Sequence, residues 1–267
     1  MSRSIIIILF IFIMSCSKSD GNRGNIYFEV SNDSISVLYK NELLCPVFTK
    51  IKDLKSGNLK FVQSQRNETS KIMSFHSNEE DSTSILSKYK FSHHYGYYET
   101  EKQAYDTLFN YALPFPKGKR YKIIQGYNGD FTHNTNFSRY TIDFELLVGD
   151  TIEASRDGLV IKVIDKHNKQ GTTKKYRPYG NYVMVLHSDN TFAQYVHLKQ
   201  YGSLVKVGDS IKMHQPIALS GFTGLTTTPH LHFGVFKATT NGFVSIPIII
   251  NSIPGKKYLK NKTAVHD

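Results

Sequence analysis

The sequence predicts an all-β protein with a small β-rich, sandwich-like N-terminal domain followed by a domain built on an antiparallel β-sheet. Short runs rich in β-branched and aromatic residues recur through both halves of the 267-residue chain, mostly bounded by Gly, Asp or Asn. No long run with helical periodicity separates them, which argues against parallel βαβ units. With 40% hydrophobic and 21% charged residues, the chain can bury a core, and this excludes a disordered or fibrous chain.

The N-terminus has the pattern of an export signal. A cationic start over residues 1–3 precedes an apolar run over residues 5–14, which is too short to span a bilayer and is typical of a signal-peptide core. Cys16 follows a small residue at the end of this run, in a pattern that resembles the bacterial lipobox. We therefore predict a signal peptide over residues 1–15 and a lipidated Cys16. An ordinary cleaved signal and a short membrane anchor are the alternatives, because Met14 is a less usual residue for a lipobox.

All three alternatives place the protein outside the cytoplasm. The predicted form is a membrane-anchored lipoprotein that faces the periplasm or the cell surface. Residues 16–25 are polar and contain glycine, so they are expected to form a tether.

The predicted N-terminal domain covers residues 26–99, and no helix is expected in it. Strands are predicted at 26–30, 36–39 and 85–91, whereas 67–84 reads as a long turn region or an exposed hairpin. A linker over 100–112 follows. Three histidines of this half lack acidic neighbours at metal-binding spacing and are expected to have surface or structural roles: His76, His93 and His94. Cys45 is expected to be a buried apolar residue.

The second half predicts a series of short strands. Asp157 and Gly158 lie between two β-rich runs, which indicates a hairpin over residues 152–163. The further strands are predicted at 182–186, 192–198, 204–207, 217–219 and 232–236. A glycine-containing loop over 221–224 is expected to line a cleft where a peptide backbone approaches closely. Residues 251–267 are expected to be a C-terminal tail.

Candidate metal ligands occur on these strands. Residues i and i+2 of a strand project from one face, so the imidazoles of His230 and His232 are expected to converge. Asp143 stands in an apolar and aromatic stretch, where an unpaired carboxylate would be costly, and a cation is the simplest partner for it. His197 lies in an apolar strand, and His133 precedes Asp143. Two cysteines in the whole chain exclude a zinc site of four cysteines, so histidine and carboxylate must provide any ligands.

Several separated motifs carry a family resemblance. They are QGYNGDFTHNTNFSRYTIDF at 125–144, GNYV at 180–183, YVHL at 195–198, KVGD at 206–209 and SGFTGLTTTPHLHF at 220–233. In order and spacing, this set resembles the lysostaphin-type (LytM-like) zinc metallopeptidases that cut peptidoglycan. The resemblance covers residues 113–236 and implies a zinc metallopeptidase domain over 113–250 with a lysostaphin-type antiparallel sheet.

The resemblance implies one zinc ion per chain, held by His133, Asp143 and His232. Three protein ligands leave one coordination position open, which is typical of a catalytic rather than a structural zinc site. It also implies that His197 and His230 are catalytic and assist proton transfer. Many family members have the first two ligands four positions apart, whereas here they are ten apart, so Asp130 and Asn134 are nearby alternatives to His133.

The implied activity is that of an endopeptidase that hydrolyses peptide bonds in peptidoglycan stem peptides or cross-links. A non-catalytic wall-binding member that activates another hydrolase is the alternative, and a peptidase acting on another secreted peptide is a second. The net charge of +11 favours an anionic partner such as an acidic wall polymer. No nucleic-acid partner is expected, since the 17 tyrosines are scattered over both halves. No feature of the sequence specifies an oligomeric state.

Overall fold

The structure is a computed structural model that describes residues 24–98 and 104–267. The predicted signal peptide, Cys16 and the first residues of the predicted linker lie outside this range. Within it, no helix has the length and apolar character needed to cross a membrane. The described part of the chain divides into two compact units, one formed by residues up to 98 with Ala238–Gly242 and the other by residues 104–237 with Phe243–Asp267.

The first unit contains two antiparallel sheets of three strands each. One sheet has the order β1 (Gly24–Val30), β2 (Ser34–Asn41), β5 (Thr69–His76), and the other β4 (Leu59–Ser64), β3 (Val47–Asp53), β6 (Tyr89–Tyr95). Tyr39 of β2 stacks on His93 of β6 with ring centroids 4.1 Å apart, and His94 stacks on Phe48. These two histidines are structural, as predicted. Cys45 is a buried free thiol, and burial raises its pKa to about 12. The sandwich-like arrangement of the sheets stays a prediction.

The first unit also contains a helix that was not expected from the sequence. Helix α1 (Ser82–Lys88) begins after Asp81, whose carboxylate accepts the backbone N–H of Ser84 and so caps the first turn. Ile85 of this helix is fully buried. The strand predicted over 85–91 is therefore wrong at its start, because tertiary burial of Ile85 and the N-cap favour a helix there. The turn region predicted over 67–84 contains β5.

The second unit is built on a nine-stranded sheet. Eight of its strands follow the order β16 (Ser210–Ile211), β11 (Gly158–Ile164), β13 (Tyr182–Leu186), β14 (Phe192–Val196), β19 (Leu231–Thr239), β9 (Thr141–Phe144), β8 (Arg120–Gln125), β23 (Thr263–Val265), and β20 (Gly242–Ser245) also pairs with β19. All strand pairs for which a register is given in this sheet are antiparallel. The predicted antiparallel all-β class is thus confirmed. Residues 251–267 contribute β23 to the sheet.

Smaller sheets complete the second unit. They consist of β10 (Thr151–Glu153), β17 (Pro216–Ser220) and β15 (Leu198–Ser203); of β22 (Ile253–Pro254), β21 (Ile249–Ile250) and β7 (Asn110–Tyr111); and of the parallel pair β12 (Gln170–Gly171) and β18 (Gly224–Leu225). Short 3-10 helices span Lys174–Tyr179 and Gly255–Lys257. The core is apolar and aromatic, with fully buried Phe115, Phe144, Tyr195 and Phe233 among its largest side chains.

Two strand predictions in this unit are wrong. Residues 152–163 do not form a hairpin, because β10 pairs with β17 whereas β11 pairs with β13 and β16. The chain therefore passes from one sheet to another at 154–157. The predicted strand 204–207 is a turn that ends at Gly208, whose φ of +100° favours glycine.

Candidate metal centre

Three neighbouring strands bring the predicted site together. In the antiparallel register, His232 of β19 lies opposite Asp143 of β9 on one side and opposite Val196 of β14 on the other. Side chains of directly opposed residues lie about 5 Å apart at Cβ, so the register alone places an imidazole beside a carboxylate. His197 follows Val196 directly, and His230 stands one residue before β19. The strands therefore fix the relative positions of four of the five predicted side chains.

His133 reaches the same point from a loop. Its Nε2 lies 3.2 Å from Asp143 Oδ1 and 3.3 Å from His232 Nδ1, and His232 Nδ1 lies 2.7 Å from the same carboxylate oxygen. Over the residues that the structure describes, these three form the one group of His, Cys, Asp or Glu whose ligand atoms lie within 4.8 Å of one another. The ten-residue spacing between His133 and Asp143 is thus compatible with convergence in space.

The loop holds the His133 ring in one orientation. His133 is fully buried, and its Nδ1 is 2.9 Å from the carbonyl oxygen of Gly126. Because a carbonyl can only accept, Nδ1 carries a proton, and Nε2 is the nitrogen that faces Asp143 and His232. Gly126 itself is held by a close approach, since a Cβ there would lie 2.2 Å from the Tyr258 carbonyl oxygen.

Asp143 is buried among histidines. Burial by itself would raise its pKa, but the neighbouring His230 and His232, together with the His133 and His232 ring nitrogens close to the carboxylate, hold the pKa of this carboxyl well below its usual range. The carboxylate is therefore ionised and carries a negative charge in the interior. A cation is the partner that such a charge requires.

Gln125 is a site residue that the sequence did not reveal. Its Nε2 donates to Asp143 Oδ2 at 3.0 Å and to Thr132 Oγ1 at 2.7 Å. Its Oε1 accepts the backbone N–H groups of Phe131 and Thr132, both at 3.2 Å. One amide thus orients the free oxygen of the carboxylate and fixes the loop that carries His133. Gln125 could have been recognised from its position opposite Asp143 in the β8–β9 pair. That position follows only from the strand register, which the sequence does not give.

His197 occupies a strained backbone position. The strand predicted over 192–198 is interrupted at this residue, whose φ is +68°, in the left-handed region that β-structure does not use. Its Nδ1 donates to the carbonyl oxygen of Thr223 at 2.7 Å, so Nε2 is the unprotonated nitrogen of the neutral ring. Burial, followed by the charges of His230 and His232, lowers the pKa of His197 to about 3.

His230 is held through Nδ1 in the same way as His197. Its Nδ1 donates to the carbonyl oxygen of Thr228 at 2.8 Å, and its Nε2 lies 3.8 Å from Asp143 Oδ1. The His197 and His230 rings lie side by side with centroids 4.5 Å apart. These two imidazoles therefore border the group of three without joining it.

The group of three fits a zinc ion. Two imidazole nitrogens and one carboxylate oxygen form a donor set that zinc accepts, and the three residues are able to bind a metal ion. A tetrahedral zinc ion with bonds of about 2.0–2.1 Å has ligand atoms about 3.3 Å apart. Two of the three observed separations, 3.3 Å and 3.2 Å, match this value, and the third, 2.7 Å, is shorter.

The alternatives considered for the first ligand lie elsewhere. Asp130 and Asn134 are exposed, and Asn134 Nδ2 donates to the carbonyl oxygen of Asp130. The glycines of the 221–224 loop pack against the chain's own backbone, since a Cβ at Gly221 would lie 2.2 Å from the Lys199 nitrogen and one at Gly224 2.6 Å from the Gly180 Cα. The close backbone approach predicted at the 221–224 loop is therefore made by other parts of the same chain.

Comparison with known proteins finds a match to one family model. Residues 138–243 match the model of peptidase family M23. A Buchnera aphidicola protein described as an uncharacterized metalloprotease is 31% identical over 235 residues, which are 84% of this chain and 58% of the relative. Asp143, His197, His230 and His232 lie within the family match, and His133 lies five residues before its start.

Two further relatives have names that specify a bond. The peptidoglycan DD-endopeptidase ShyB of Vibrio cholerae is 33% identical over 144 residues, which are 52% of this chain and 30% of the relative. The glycyl-glycine endopeptidase ALE-1 of Staphylococcus capitis is 36% identical over 107 residues, which are 40% of this chain and 26% of the relative. The chain thus spans between about a quarter and 58% of the length of these curated relatives.

Proposed function

The chain carries a domain of peptidase family M23, and on this premise we propose that it is a zinc-dependent endopeptidase that hydrolyses peptide bonds in peptidoglycan stem peptides or cross-links. The observation that supports the proposal most directly is the convergence of His133, Asp143 and His232 beside His197 and His230. The relatives named as peptidoglycan and glycyl-glycine endopeptidases support the same substrate class. We assign the catalytic domain to residues 113–250.

His133, Asp143 and His232 would hold the ion. Bound there, zinc would polarise the scissile carbonyl and lower the pKa of a coordinated water molecule to about 7. Gln125 keeps the Asp143 carboxylate in place through Oδ2, which leaves Oδ1 directed at the two ligating imidazoles.

His197 and His230 would move the proton. Each ring has its Nδ1 proton bound to a backbone carbonyl, so Nε2 is the nitrogen available for proton exchange in each ring. A nitrogen of this kind can accept a proton from the attacking water and return it to the leaving amine. Once protonated, it can also donate a hydrogen bond to the developing oxyanion. The presence of all five side chains favours this activity over a non-catalytic wall-binding role.

The test separates metal binding from turnover. We expect the purified His232→Ala and Asp143→Ala variants to lose both bound zinc and the digestion of peptidoglycan sacculi. We expect His230→Ala to retain about one equivalent of zinc and to lose at least 100-fold in turnover, the usual loss when a general acid or base is removed. Zinc is measured by elemental analysis, and turnover by the release of soluble muropeptides.

The matched control is His76→Ala, because His76 is an exposed histidine of the first unit. It should retain both zinc and activity. Digestion of sacculi by His230→Ala at the wild-type rate would refute the assigned site. If the wild-type protein is purified without zinc and binds sacculi without hydrolysing them, this result would support the non-catalytic alternative instead.

We also propose that the protein is exported and anchored to the membrane through a lipid on Cys16. The supporting pattern is the apolar run that ends at Cys16, and substrates in the cell wall require a location outside the cytoplasm. The Cys16→Ser variant should be recovered in the soluble fraction, whereas the wild-type protein is recovered with membranes. Equal membrane recovery of the two proteins would contradict lipidation of Cys16.

A further inference from the structure

An exposed, strongly basic loop spans residues 166–177. It contains five cationic side chains and no acidic residue, and all five are exposed: Lys166, Lys169, Lys174, Lys175 and Arg177. Among the described parts of the chain, none of the five forms an ion pair. Like charges held together without counterions favour binding of an anionic group.

The basic loop has a defined conformation. The ring of Tyr176 covers Gly171 so closely that a Cβ at Gly171 would lie 2.2 Å from it. The Lys169 ammonium lies 5.0 Å from the centre of the Tyr179 ring. The 3-10 helix Lys174–Tyr179 carries three of the other four cations, Lys174, Lys175 and Arg177. The charges are therefore presented by an ordered segment, which reduces the entropy lost when a ligand binds.

Hydrogen bonds join the basic loop to the segment that orients the two proposed catalytic histidines. Strand β12 pairs with β18, the Gly224 amide donates to the Lys169 carbonyl at 2.8 Å, and the Thr226 amide donates to the Gly171 carbonyl at 3.1 Å. The same 223–228 segment supplies the Thr223 and Thr228 carbonyls that hold His197 and His230. The backbone of the basic loop is therefore bonded to the segment that borders the proposed catalytic centre.

We propose that the basic loop binds free carboxylate groups of the substrate peptide beside the scissile bond, so that the enzyme prefers stem peptides with carboxylates over amidated ones. This inference rests on the proposed function and adds a substrate preference to it. Phosphate-bearing wall polymers offer the same kind of charge. We favour the carboxylate because hydrogen bonds join the loop to the 223–228 segment, which holds the two proposed catalytic histidines. A carboxylate of the substrate close to the scissile bond would therefore be the anion nearest to the loop. Lys and Arg side chains both form charge-assisted hydrogen bonds with carboxylates.

The experiment compares two soluble cross-linked muropeptides that differ only in a carboxylate or a carboxamide next to the scissile bond. For the wild-type protein, we expect kcat/KM to be about tenfold higher for the carboxylate form, a difference within the range of electrostatic steering. In the triple variant K174Q/K175Q/R177Q this ratio should fall towards one. Added salt should reduce the ratio for the wild-type protein, because exposed charges are screened.

The matched control is K117Q/K119Q/R120Q. It also removes two lysines and one arginine from exposed positions. These residues lie just before β8 and at its first residue, whereas Gln125 is the last residue of that strand. The control should keep the wild-type ratio. Equal cleavage of both muropeptides by the wild-type protein would overturn the carboxylate preference and leave the proposed function intact.

A binding measurement decides the inference independently of turnover. We expect the chelator-treated wild-type protein to bind the carboxylate muropeptide about tenfold more tightly than the carboxamide, and the loop variant to bind both equally. If neither muropeptide is cleaved, the proposed function fails, and the binding ratio still tests the loop. If inorganic polyphosphate binds through the loop whereas the two muropeptides bind equally, the ligand is a phosphate polymer and the carboxylate proposal is wrong.

Discussion

The two oxygens of the Asp143 carboxylate have different partners, and the difference depends on one amide. Oδ1 faces His133 and His232, whereas Oδ2 accepts a hydrogen bond from Gln125. Side chains that orient metal ligands in this way contribute to metal affinity although they do not touch the ion. Gln125 also fixes the backbone at Thr132, next to His133, so its loss should disturb two of the three proposed metal ligands.

We therefore expect Gln125→Ala to bind zinc about 10–100-fold more weakly than the wild-type protein, the range typical of residues that support metal ligands. Competition with a chromophoric chelator measures this affinity. Gln63→Ala is the control, because the Gln63 side-chain amide also donates hydrogen bonds, but to the Val47 and Gly96 carbonyls in the first unit. Unchanged zinc affinity in Gln125→Ala would show that the hydrogen bond to Asp143 does not support the site.

At this scale, the sequence identified charged and imidazole side chains better than neutral ones. Asp143 stood out because a carboxylate in an apolar strand requires a partner, and His232 because alternate residues of a strand share a face. Gln125 carries no comparable signal. Its importance comes from the β8–β9 register, which places it opposite Asp143 and is not encoded in local residue patterns.

At the scale of elements, the break between β14 and β15 places His197. The left-handed conformation at His197 turns the chain from the nine-stranded sheet into the small sheet of β10, β17 and β15. Gly221, which follows β17, packs directly against this turn, since a Cβ there would lie 2.4 Å from the Leu198 carbonyl carbon. The turn at His197 can therefore keep its position only if residue 221 has no side chain.

The Gly221→Ala variant should move the 197–199 backbone and lose most activity, because shifts of about 1 Å at catalytic groups can cost about 100-fold in rate. Its Tm should also fall, since the clash is with backbone atoms. Hydrolysis of soluble muropeptides and thermal unfolding are the measurements. Gly180→Ala is the control, because a Cβ there meets only ordinary contacts at 3.6 Å and 3.7 Å and its φ is −69°. Wild-type activity and Tm in Gly221→Ala would contradict this dependence.

Strand pairing was less predictable than strand position. The runs at 182–186 and 232–236 were found as strands because each is an uninterrupted β-rich segment. The proposed hairpin at 152–163 failed because an Asp-Gly pair signals a turn without specifying which strands it joins. Helix α1 was missed since its seven residues offer only two turns of periodicity, although the N-cap at Asp81 was a usable signal.

At the scale of the whole second unit, one buried ion pair joins distant parts of the chain. Arg156 Nη1 lies 2.8 Å from Asp189 Oδ2 and donates to the Tyr111 hydroxyl at 3.0 Å, and its guanidinium covers the Phe109 ring at 3.9 Å. Burial by itself would raise the pKa of Asp189, but hydrogen bonds from Thr191 and Arg156 lower it below its usual value. The pair therefore stabilises the folded state only when Asp189 is ionised.

Asp189→Asn leaves a buried guanidinium without its counter-charge and should cost about 3 kcal/mol at pH 7. This corresponds to a loss of roughly 6–12 °C in Tm. The pKa of Asp189 is lower in the folded state than in the unfolded state, where it is about 3.9. The ion pair therefore stabilises the folded state at pH values above about 3.9, and this stabilisation is lost as the pH falls through the pKa of the folded state. The Tm difference between wild type and variant should accordingly shrink below about pH 4.

Thermal unfolding between pH 3 and pH 7 measures this effect. Asp157→Asn is the control, because the Asp157–Lys212 pair is exposed and such pairs contribute little. A Tm difference for Asp189→Asn that stays constant across this pH range would rule out the ion pair as its cause.

The last strand of the chain, β23, also has a practical consequence. It covers β8, the neighbour of the strand that carries Asp143, so that the outer edge of β8 is not open to solvent. An uncovered edge is a template on which a second molecule can add its own strand. Truncated proteins that end near residue 250 would therefore tend to aggregate. Truncations made for practical use should retain the final turn and strand.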